Sequence, residues 1–370
     1  MNVQESLALP RARDTIGRIT PYVPGKSIEE VAAEYGVRDV VKLASNENPL
    51  GPSPRALEAV RNGAGEIFRY PDGASGELIA LLAERLDVPQ DHLVVGNGSD
   101  EVIKLLAEAY LEPGDEVIYA DPTFSEYAYV ARLMGAAEIP VPLDGEWVHD
   151  LEAMLSKVTD RTKLVFICNP NNPTGTIVSH ERLERFLAAL PPQAIMVCDE
   201  AYVEYVDDAS FPDSLGWVRE GKPVVVLRTF SKVYGLAGLR IGYGIAPPYL
   251  IENIRRVKEP FNVNRLAQAA ACEALRDEEH VGRSVRLNAE ERERLRQRLE
   301  TLGCTVTPSQ ANFLWVDLGR DCRPVLEALL QRGVIIRGGD AFGQPHHVRI
   351  TIGKKDENDK LLRNLEQVLL

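Results

Sequence analysis

Short apolar runs that alternate with helix-like stretches constrain the fold of this chain more than any other feature. From about Leu93 onward the runs are rich in Val and Ile, and successive ones read EVIYA, KLVFIC, AIMVCDEAY and PVVVLRTF. Runs that are apolar on both faces are typical of strands in a parallel sheet that helices cover on both sides. The segment SDEVIKLLAEAYL repeats its apolar residues at helical spacing. The pattern therefore predicts an α/β fold with a mostly parallel central sheet.

The length of the chain and a change in its pattern predict two domains. At 370 residues the chain exceeds the size at which a single core normally stops growing. After about residue 260 the rhythm changes to a long charged helix and the strand-like segments NFLWVDL, VIIR and VRITI, which is typical of an α+β domain. We predict an N-terminal arm and small-domain segment over residues 1–45, a large domain over 46–259 and a small domain over 260–370.

Charge and composition exclude several classes of partner. The chain carries 55 acidic and 42 basic residues, a formal net charge of -13, which provides no extended basic surface for nucleic acid. An anionic ligand must therefore be attracted by a local cluster of arginines and helix amino ends. No apolar stretch is long enough for a signal peptide or a membrane span, so we expect a cytoplasmic protein without a membrane partner.

Cysteines and histidines do not indicate a disulfide framework or a metal site. The five cysteines are odd in number, widely spaced and mostly embedded in apolar stretches, so we expect reduced core residues. His346 and His347 are adjacent, but no third ligand follows at a recognisable spacing. No metal is therefore predicted.

Polar residues follow three of the predicted strands at the point where each strand ends. KLVFIC is followed by NPNNPTG, AIMVC by Asp199 and Tyr202, and PVVVLRTF by Ser231 and Lys232. The carboxyl ends of parallel strands meet at one edge of the sheet, where ligands bind. A lysine beside hydroxyl groups and near an arginine can become a Schiff-base nucleophile, and the alternative is an ordinary solvated lysine.

Asp199, GNGSDE and NPNNPTG can each have either a structural role or a role in cofactor binding. Asp199 follows apolar residues, and a buried carboxylate needs a positive partner, either an arginine or a protonated pyridine nitrogen such as that of pyridoxal 5'-phosphate (PLP). GNGSDE precedes a helix whose amino end suits a phosphate, with Ser99 and backbone amides as better donors than Asp100, although such turns are also common without ligands. NPNNPTG can be a simple turn, but its rigid backbone would give Asn172 an amide of fixed direction.

Six motifs in sequence order resemble those of one enzyme family. They read ASNENPLGPSP, FRYPDG, GNGSDE, NPNNPTG, CDEAYVEY and TFSKVYGLAGLRIGY. Together they resemble the fold-type I PLP-dependent aminotransferases, which combine a large domain, built on a mostly parallel sheet, with a smaller α+β domain. The resemblance extends from PYVPGKSIEEV in the arm to VRIT near the carboxyl end, and LASNENPLG with YPDG is similar to the histidinol-phosphate branch of that family.

The resemblance implies a role for each matching residue. Lys232, Asp199 and Tyr202 would be the catalytic residues. Lys232 would bind the cofactor covalently, and Asp199 would also pair with the pyridine nitrogen. At the phosphate the contacts would come from Ser99 with its neighbouring amides, Ser231 and Arg240, with Thr229 as a further contact. Asn172 and Tyr202 would contact the phenolic oxygen, and Phe124 would stack on the ring. Asp100 is also expected among the cofactor-binding residues. Tyr70 would reach across a homodimer interface to the phosphate in the partner subunit.

Residues outside the cofactor motifs would select the substrate. By the same resemblance Arg349 would receive the substrate carboxylate and Arg337 would lie near the substrate phosphate. Each arginine can also be an ordinary strand-end ion pair. Asn172, together with Tyr22 in the arm, would line the substrate pocket.

The implied reaction is amino transfer between L-histidinol phosphate and 2-oxoglutarate, which gives imidazole acetol phosphate and glutamate in histidine biosynthesis. Two alternatives use the same cofactor residues, namely an aromatic amino-acid aminotransferase and a threonine-phosphate decarboxylase. A non-catalytic PLP-binding regulator is the third alternative, but such proteins attach a DNA-binding module, which neither the short arm nor the acidic composition provides.

Overall fold

The computed structural model of the chain describes residues 11–21 and 25–369, and its strands form two sheets. The strands are β1 Val41–Leu43, β2 Leu93–Gly96, β3 Glu116–Asp121, β4 Ala137–Pro142, β5 Thr162–Cys168, β6 Ile195–Asp199, β7 Val224–Thr229, β8 Gly242–Ile245, β9 Thr305–Thr307, β10 Phe313–Asp317, β11 Val334–Gly338 and β12 His347–Thr351.

Helices separate most of these strands along the chain. The α-helices are α1 Ile28–Tyr35, α2 Pro54–Gly63, α3 Gly76–Leu86, α4 Ser99–Tyr110, α5 Glu126–Met134, α6 Leu151–Ser156, α7 His180–Ala189, α8 Ser214–Arg219, α9 Pro248–Val257, α10 Arg265–Arg276, α11 Glu278–Thr301, α12 Cys322–Leu330 and α13 Lys355–Leu369. Within the described residues, no helix combines the length and the apolar composition that crossing a membrane requires.

The larger sheet confirms the predicted α/β fold with a mostly parallel sheet. Its strand order is β2-β8-β7-β6-β5-β3-β4, and only β8 runs antiparallel to its two neighbours. The exits of β5, β6 and β7 therefore lie side by side at one edge, as the sequence predicts for neighbouring parallel strands.

The central strand β5 shows why these segments are apolar throughout. Val165 and Ile167 face one hydrophobic core, whereas Leu164, Phe166 and Cys168 face another on the opposite side of the sheet. Helices α2, α3, α6, α7, α8 and α10 contribute to the first core, and α4, α5 and α9 contribute to the second. A strand covered on both faces gains apolar burial from every residue rather than from alternate ones. All five cysteines are buried thiols, in agreement with the prediction of core residues.

The smaller sheet has the order β1-β11-β12-β10-β9, with β1 parallel to β11 and the other pairs antiparallel. Its core is closed by α11, α12 and α13, so the chain near its start and the chain after about residue 290 form one α+β unit. Helix α10 instead contributes Ala267, Ala270 and Ala271 to the core beside α2 and α3. The predicted division at residue 260 stays a prediction, and this packing favours a boundary inside α11.

Candidate active site

A cavity of about 1450 Å³ lies between the two sheets, at the carboxyl edge of the larger one. Asp199 and Lys232 line it from the large sheet, and Arg337 and Arg349 line it from the small sheet. The predicted strand exits therefore open into one space, and that space also receives both arginines of the small domain.

Lys232 lies three residues after β7, where the chain leaves the sheet. Its Nζ is 5.6 Å from the centre of the Tyr202 ring. Burial disfavours the ammonium form, and the positive charge of Arg349 adds to that effect, so the pKa of Lys232 falls to about 8. About a tenth of this amine is then unprotonated at pH 7, far more than for an ordinary lysine, and that is the form that acts as a nucleophile or a base.

Asp199 is the last residue of β6 and is only 3% exposed. The Tyr127 hydroxyl donates to its Oδ2 at 2.7 Å, and the backbone N–H of Ala201 donates to its Oδ1 at 3.2 Å. Burial raises the pKa of this carboxyl to about 6, although both hydrogen bonds act in the opposite direction. Neither donor carries a positive charge, so a cation in the cavity would stabilise the carboxylate further.

The amino end of α4 forms a cradle with Arg240. Gly98 precedes the helix with φ 87°, and a Cβ at this position would lie 2.7 Å from Arg240 Nη2. A Cβ on Gly242 would lie 2.4 Å from the backbone nitrogen of Ser99. Both positions therefore require glycine, which leaves the guanidinium beside the free amides of the helix end.

Asp100 takes a different part in this cradle from the other predicted phosphate residues. Its Oδ2 accepts a hydrogen bond from Arg240 Nη2 at 2.9 Å, so the side chain orients the guanidinium. Ser99, Thr229 and Ser231 are buried and line the same part of the cavity, and Thr229 Oγ1 accepts from the Ser231 N–H at 3.0 Å. This arrangement of amides, hydroxyls and one guanidinium suits a phosphate.

The side chains of Asn172, Tyr202 and Phe124 also line the cavity. Asn172 Oδ1 accepts from Arg349 Nη1 at 2.5 Å, which leaves its amide N–H groups as the donors for a ligand. The Tyr202 hydroxyl accepts from Asn46 Nδ2 at 3.0 Å, so its own proton is available to another acceptor. Phe124 offers an aromatic ring at the entrance to α5.

Arg337 and Arg349 are direct cross-strand neighbours. They face each other in the antiparallel register of β11 and β12. Arg349 is 7% exposed, and its Nη2 donates to the carbonyl of Ala44 at 2.6 Å. Two guanidinium groups placed side by side can both donate hydrogen bonds to one anion.

The structure brings all but two of the predicted site residues together. Ser99, Asp100, Phe124, Asn172, Asp199, Tyr202, Thr229, Ser231, Lys232, Arg240, Arg337 and Arg349 line the one cavity. Tyr70 is 77% exposed and stacks on Phe261 with 4.7 Å between ring centres, away from the cavity of its own chain. Tyr22 lies outside the described residues.

Two residues of this network escape the sequence reasoning. Tyr127 lies on α5 among apolar residues, a pattern that indicates core packing and gives no sign of its bond to Asp199. Asn46 belongs to the ASNENP motif, and its φ of 57° in the left-handed region indicates a position selected for local geometry. The motif alone did not predict its bond to Tyr202.

This fold and site define the class of protein. The family model for aminotransferase class I and II matches residues 38–365, and the chain belongs to that family. Within the family it is similar to the histidinol-phosphate aminotransferase of Moorella thermoacetica, with 53% identity over 98% of this chain and 94% of the relative. It is also similar to histidinol-phosphate aminotransferase 1 of Nitrosococcus oceani, with 47% identity over 99% and 98% of the two chains.

Solved structures show the same fold. The crystal structure of histidinol-phosphate aminotransferase from Sinorhizobium meliloti in complex with pyridoxal-5'-phosphate matches with a TM-score of 0.90 and 29% identity, covering 98% of each chain. A double mutant of Thermus thermophilus aspartate aminotransferase matches with a TM-score of 0.84 and 25% identity, over 97% of this chain and 100% of that one. The fold is therefore common to enzymes named for different substrates.

Proposed function

We infer that this chain is a PLP-dependent aminotransferase that transfers the amino group of L-histidinol phosphate to 2-oxoglutarate, a step of histidine biosynthesis. The names of the full-length relatives support this substrate. The observation that carries the proposal within the molecule is the pairing of Arg337 with Arg349 across β11 and β12, inside the cavity that holds Lys232. Two guanidinium groups suit a substrate phosphate, and they equally suit the two carboxylates of the 2-oxo acid.

The residues of the cavity fit this cofactor. The glycines at 98 and 242 leave room for a phosphate at the amino end of α4, beside Arg240. The buried Asp199 provides the carboxylate that a protonated pyridine nitrogen needs, and Phe124 provides a ring for stacking. When bound, PLP supplies a carbonyl group that reacts with amines and a ring that stores electrons during proton transfer at the substrate carbon.

The side chains of the chain itself then perform three tasks. Lys232 would hold the cofactor covalently until the substrate amine replaces it, and its free amine would then take the proton from the donor Cα and deliver it to the cofactor carbon. In the second half-reaction the same amine would move a proton to the Cα derived from the 2-oxo acid. Asp199 stabilises the protonated form of the ring nitrogen. Tyr202 and Asn172 donate hydrogen bonds to the phenolic oxygen. Arg240 and the amides of α4 fix the phosphate, so the ring stays in position while its bonding changes.

Covalent attachment at Lys232 has a direct chemical test. Reduction of the holoenzyme with borohydride should fix the cofactor on one lysine, and peptide mass spectrometry should identify that lysine as residue 232. Labelling of a different lysine would overturn the assignment. The K232A variant should bind the cofactor reversibly and show no labelled peptide.

Turnover assays separate the substrate hypotheses. Histidinol phosphate, phenylalanine and threonine phosphate, each tested with 2-oxoglutarate, should rank in that order of kcat/KM. R337M should lower kcat/KM for histidinol phosphate by about a hundredfold and leave phenylalanine nearly unchanged. R349M serves as the matched variant, because loss of the arginine assigned to the substrate carboxylate should also lower kcat/KM for phenylalanine. Absence of amino transfer from histidinol phosphate would exclude the proposed substrate.

A homodimer accounts for the exposed surface around Tyr70. Ile67, Phe68, Tyr70 and Phe261 are large apolar residues with exposed fractions of 69%, 73%, 77% and 50%. Contiguous exposed apolar side chains of this kind mark protein interfaces. In the proposed dimer a second copy covers them, and Tyr70 contacts the cofactor phosphate of the partner subunit.

Subunit complementation tests the shared site. K232A and Y70A each remove one part of it, and a mixed dimer regains one complete site from the Tyr70 of one subunit and the Lys232 of the other. Mixing the two inactive variants under conditions of subunit exchange should therefore restore activity. Mixed dimers that form but remain as inactive as their parents would contradict the proposed role of Tyr70.

A further inference from the structure

A fully buried phenol lies behind the carboxylate of Asp199. Tyr127, on α5, has no exposed surface, and its hydroxyl donates to Asp199 Oδ2 at 2.7 Å. Its ring stacks on Phe166 of β5 with 4.3 Å between centres and an angle of 12°. The same ring meets Phe124 edge to face at 5.7 Å. Tyr127 is thus held by two aromatic contacts, and its one polar atom bonds to the buried carboxylate.

These contacts are more specific than apolar packing requires. A phenylalanine at this position would keep the ring contacts, whereas a buried hydroxyl costs free energy unless it finds a partner. The partner that it finds is the carboxylate proposed to face the cofactor nitrogen. Tyr127 also links two predicted cofactor contacts, because its ring packs at 86° to that of Phe124 and its hydroxyl bonds to Asp199.

We propose that Tyr127 is a positioning residue that holds Asp199 in its ionised form and fixes the direction in which the carboxylate meets the pyridine nitrogen of the cofactor. This inference rests on the proposed function of Asp199. A hydroxyl that donates to a carboxylate stabilises the charged form, so the bond lowers the pKa of Asp199 against the effect of burial. Because the bond occupies Oδ2 from the side of α5, the carboxylate cannot rotate freely.

Several titratable groups act on Asp199 from the elements around it. They are Asp100 from α4, Tyr127 from α5, Cys168 from β5, Cys198 from β6, Tyr202 from the segment after β6, and Lys232 from the segment after β7. Asp100 raises the pKa of Asp199 and Lys232 lowers it. The thiols of Cys168 and Cys198 have raised pKa values because they are buried, so they stay neutral in the pH range of interest.

The Y127F variant tests the proposal because it removes only the hydroxyl. Apoenzyme of the full chain is titrated with PLP between pH 5.5 and 8.5, and the dissociation constant is followed by quenching of tryptophan fluorescence. Affinity should decline as Asp199 becomes protonated. Loss of a hydrogen bond to the charged carboxylate should shift the midpoint of this decline upward by about one pH unit. PLP affinity should then fall about fivefold at pH 6 and hardly change at pH 8. The cofactor phosphate titrates near pH 6 in both proteins, so the difference between the two curves reports the protein.

Control variants separate the possible outcomes. Y205F removes the hydroxyl of another buried tyrosine and should leave the pH curve of the wild-type protein unchanged. D199N should weaken PLP binding at pH 8, where Y127F binds normally. A Y127F curve that coincides with the wild-type curve, while D199N binds weakly, would overturn the role of Tyr127 alone. If D199N binds PLP as tightly as the wild-type protein, the assigned function of Asp199 itself fails.

A purely structural role for Tyr127 makes a different prediction. Such a role would lower the unfolding temperature of the apoenzyme and weaken PLP binding by the same factor at every pH. The positioning role predicts a change confined to the acidic limb. A uniform loss of affinity across the pH range would therefore count against the proposal.

Discussion

Replacement of Asp199 by asparagine should alter the stability of the apoenzyme in a strongly pH-dependent way. The carboxyl group is 3% exposed, and burial raises its pKa in the folded chain to about 6, from 3.8 in its ordinary state. The folded protein without cofactor therefore holds a proton on this group over a pH range in which the unfolded chain does not. D199N removes the titrating proton and keeps a side chain of nearly the same shape.

The sign and size of the effect follow from proton linkage. Because the folded pKa is raised, the stabilising contribution of the protonated acid is fully present below about pH 3.8 and is lost as pH rises through about 6. The difference between these pKa values corresponds to about 3 kcal/mol in total. Between pH 4.5 and 7.5, wild-type apoenzyme should lose about 2 kcal/mol of unfolding free energy relative to D199N.

Urea unfolding of the two apoenzymes at matched protein concentrations measures this difference. Trp147, Trp217 and Trp315 provide the fluorescence signal. The test uses the pH dependence of the difference in unfolding free energy between the two proteins. Any effect of the asparagine amide on stability that is the same at every pH therefore cancels. Addition of PLP at pH 7.5 should stabilise the wild-type protein more than D199N, because the stabilisation by a ligand increases with the logarithm of its affinity.

Parallel stability curves for the two apoenzymes would refute the reasoning. They would mean that Asp199 titrates near its ordinary pKa in the folded protein, and that water or another group compensates its burial. A difference that grows with pH in favour of the wild-type protein would be a stronger refutation, since it requires a carboxylate that the apoenzyme already stabilises.

Three further predictions concern the cofactor contacts. G242A should lower PLP affinity at least about tenfold, because its Cβ would displace the first amide of α4, and a PLP titration that matches the wild-type result would contradict this. R265M should weaken PLP binding about fivefold, because the Arg265 guanidinium donates to the Tyr70 carbonyl at 3.0 Å and so positions that segment. Light scattering should show that the R265M dimer is intact. R276M, on the surface of the same helix, is the control and should bind PLP normally. The rate of PLP capture by apoenzyme should rise with pH as the Lys232 amine loses its proton, with a midpoint near pH 8 and a plateau about one unit higher. A stopped-flow rate that is flat from pH 6.5 to 9 would exclude this amine as the nucleophile.

The strand exits were predictable because their signal is local. Asp199 and Lys232 each end an apolar run, and the carboxyl ends of parallel strands share an edge by geometry alone. The cross-strand register of Arg337 and Arg349 was not predictable in the same way. It depends on the pairing of β11 with β12, and the apolar pattern of a strand does not indicate which other strand it pairs with.

Other features depended on tertiary contacts that the pattern does not encode. Tyr127 lies in an amphipathic helix, where an aromatic residue on the apolar face ordinarily indicates core packing. Arg240 takes a φ of 56°, a conformation that costs free energy for a residue other than glycine and is compensated by its bond to Asp100. The alanine-rich face of α10 fits either domain by composition, and only packing places it with α2 and α3.

The opposition of Arg337 and Arg349 has a kinetic consequence. Under the proposed function, these two arginines bind the phosphorylated amino donor in one half-reaction and the dicarboxylic acceptor in the other, within the same cavity. The first product has to leave before the second substrate can enter, so double-reciprocal plots should be parallel lines. At high concentration, each substrate also binds to the enzyme form that reacts with the other substrate, and so inhibits turnover. Turnover is then fastest when the supplies of donor and acceptor are balanced, and the ratio of the two anions, more than the abundance of either, sets the flux.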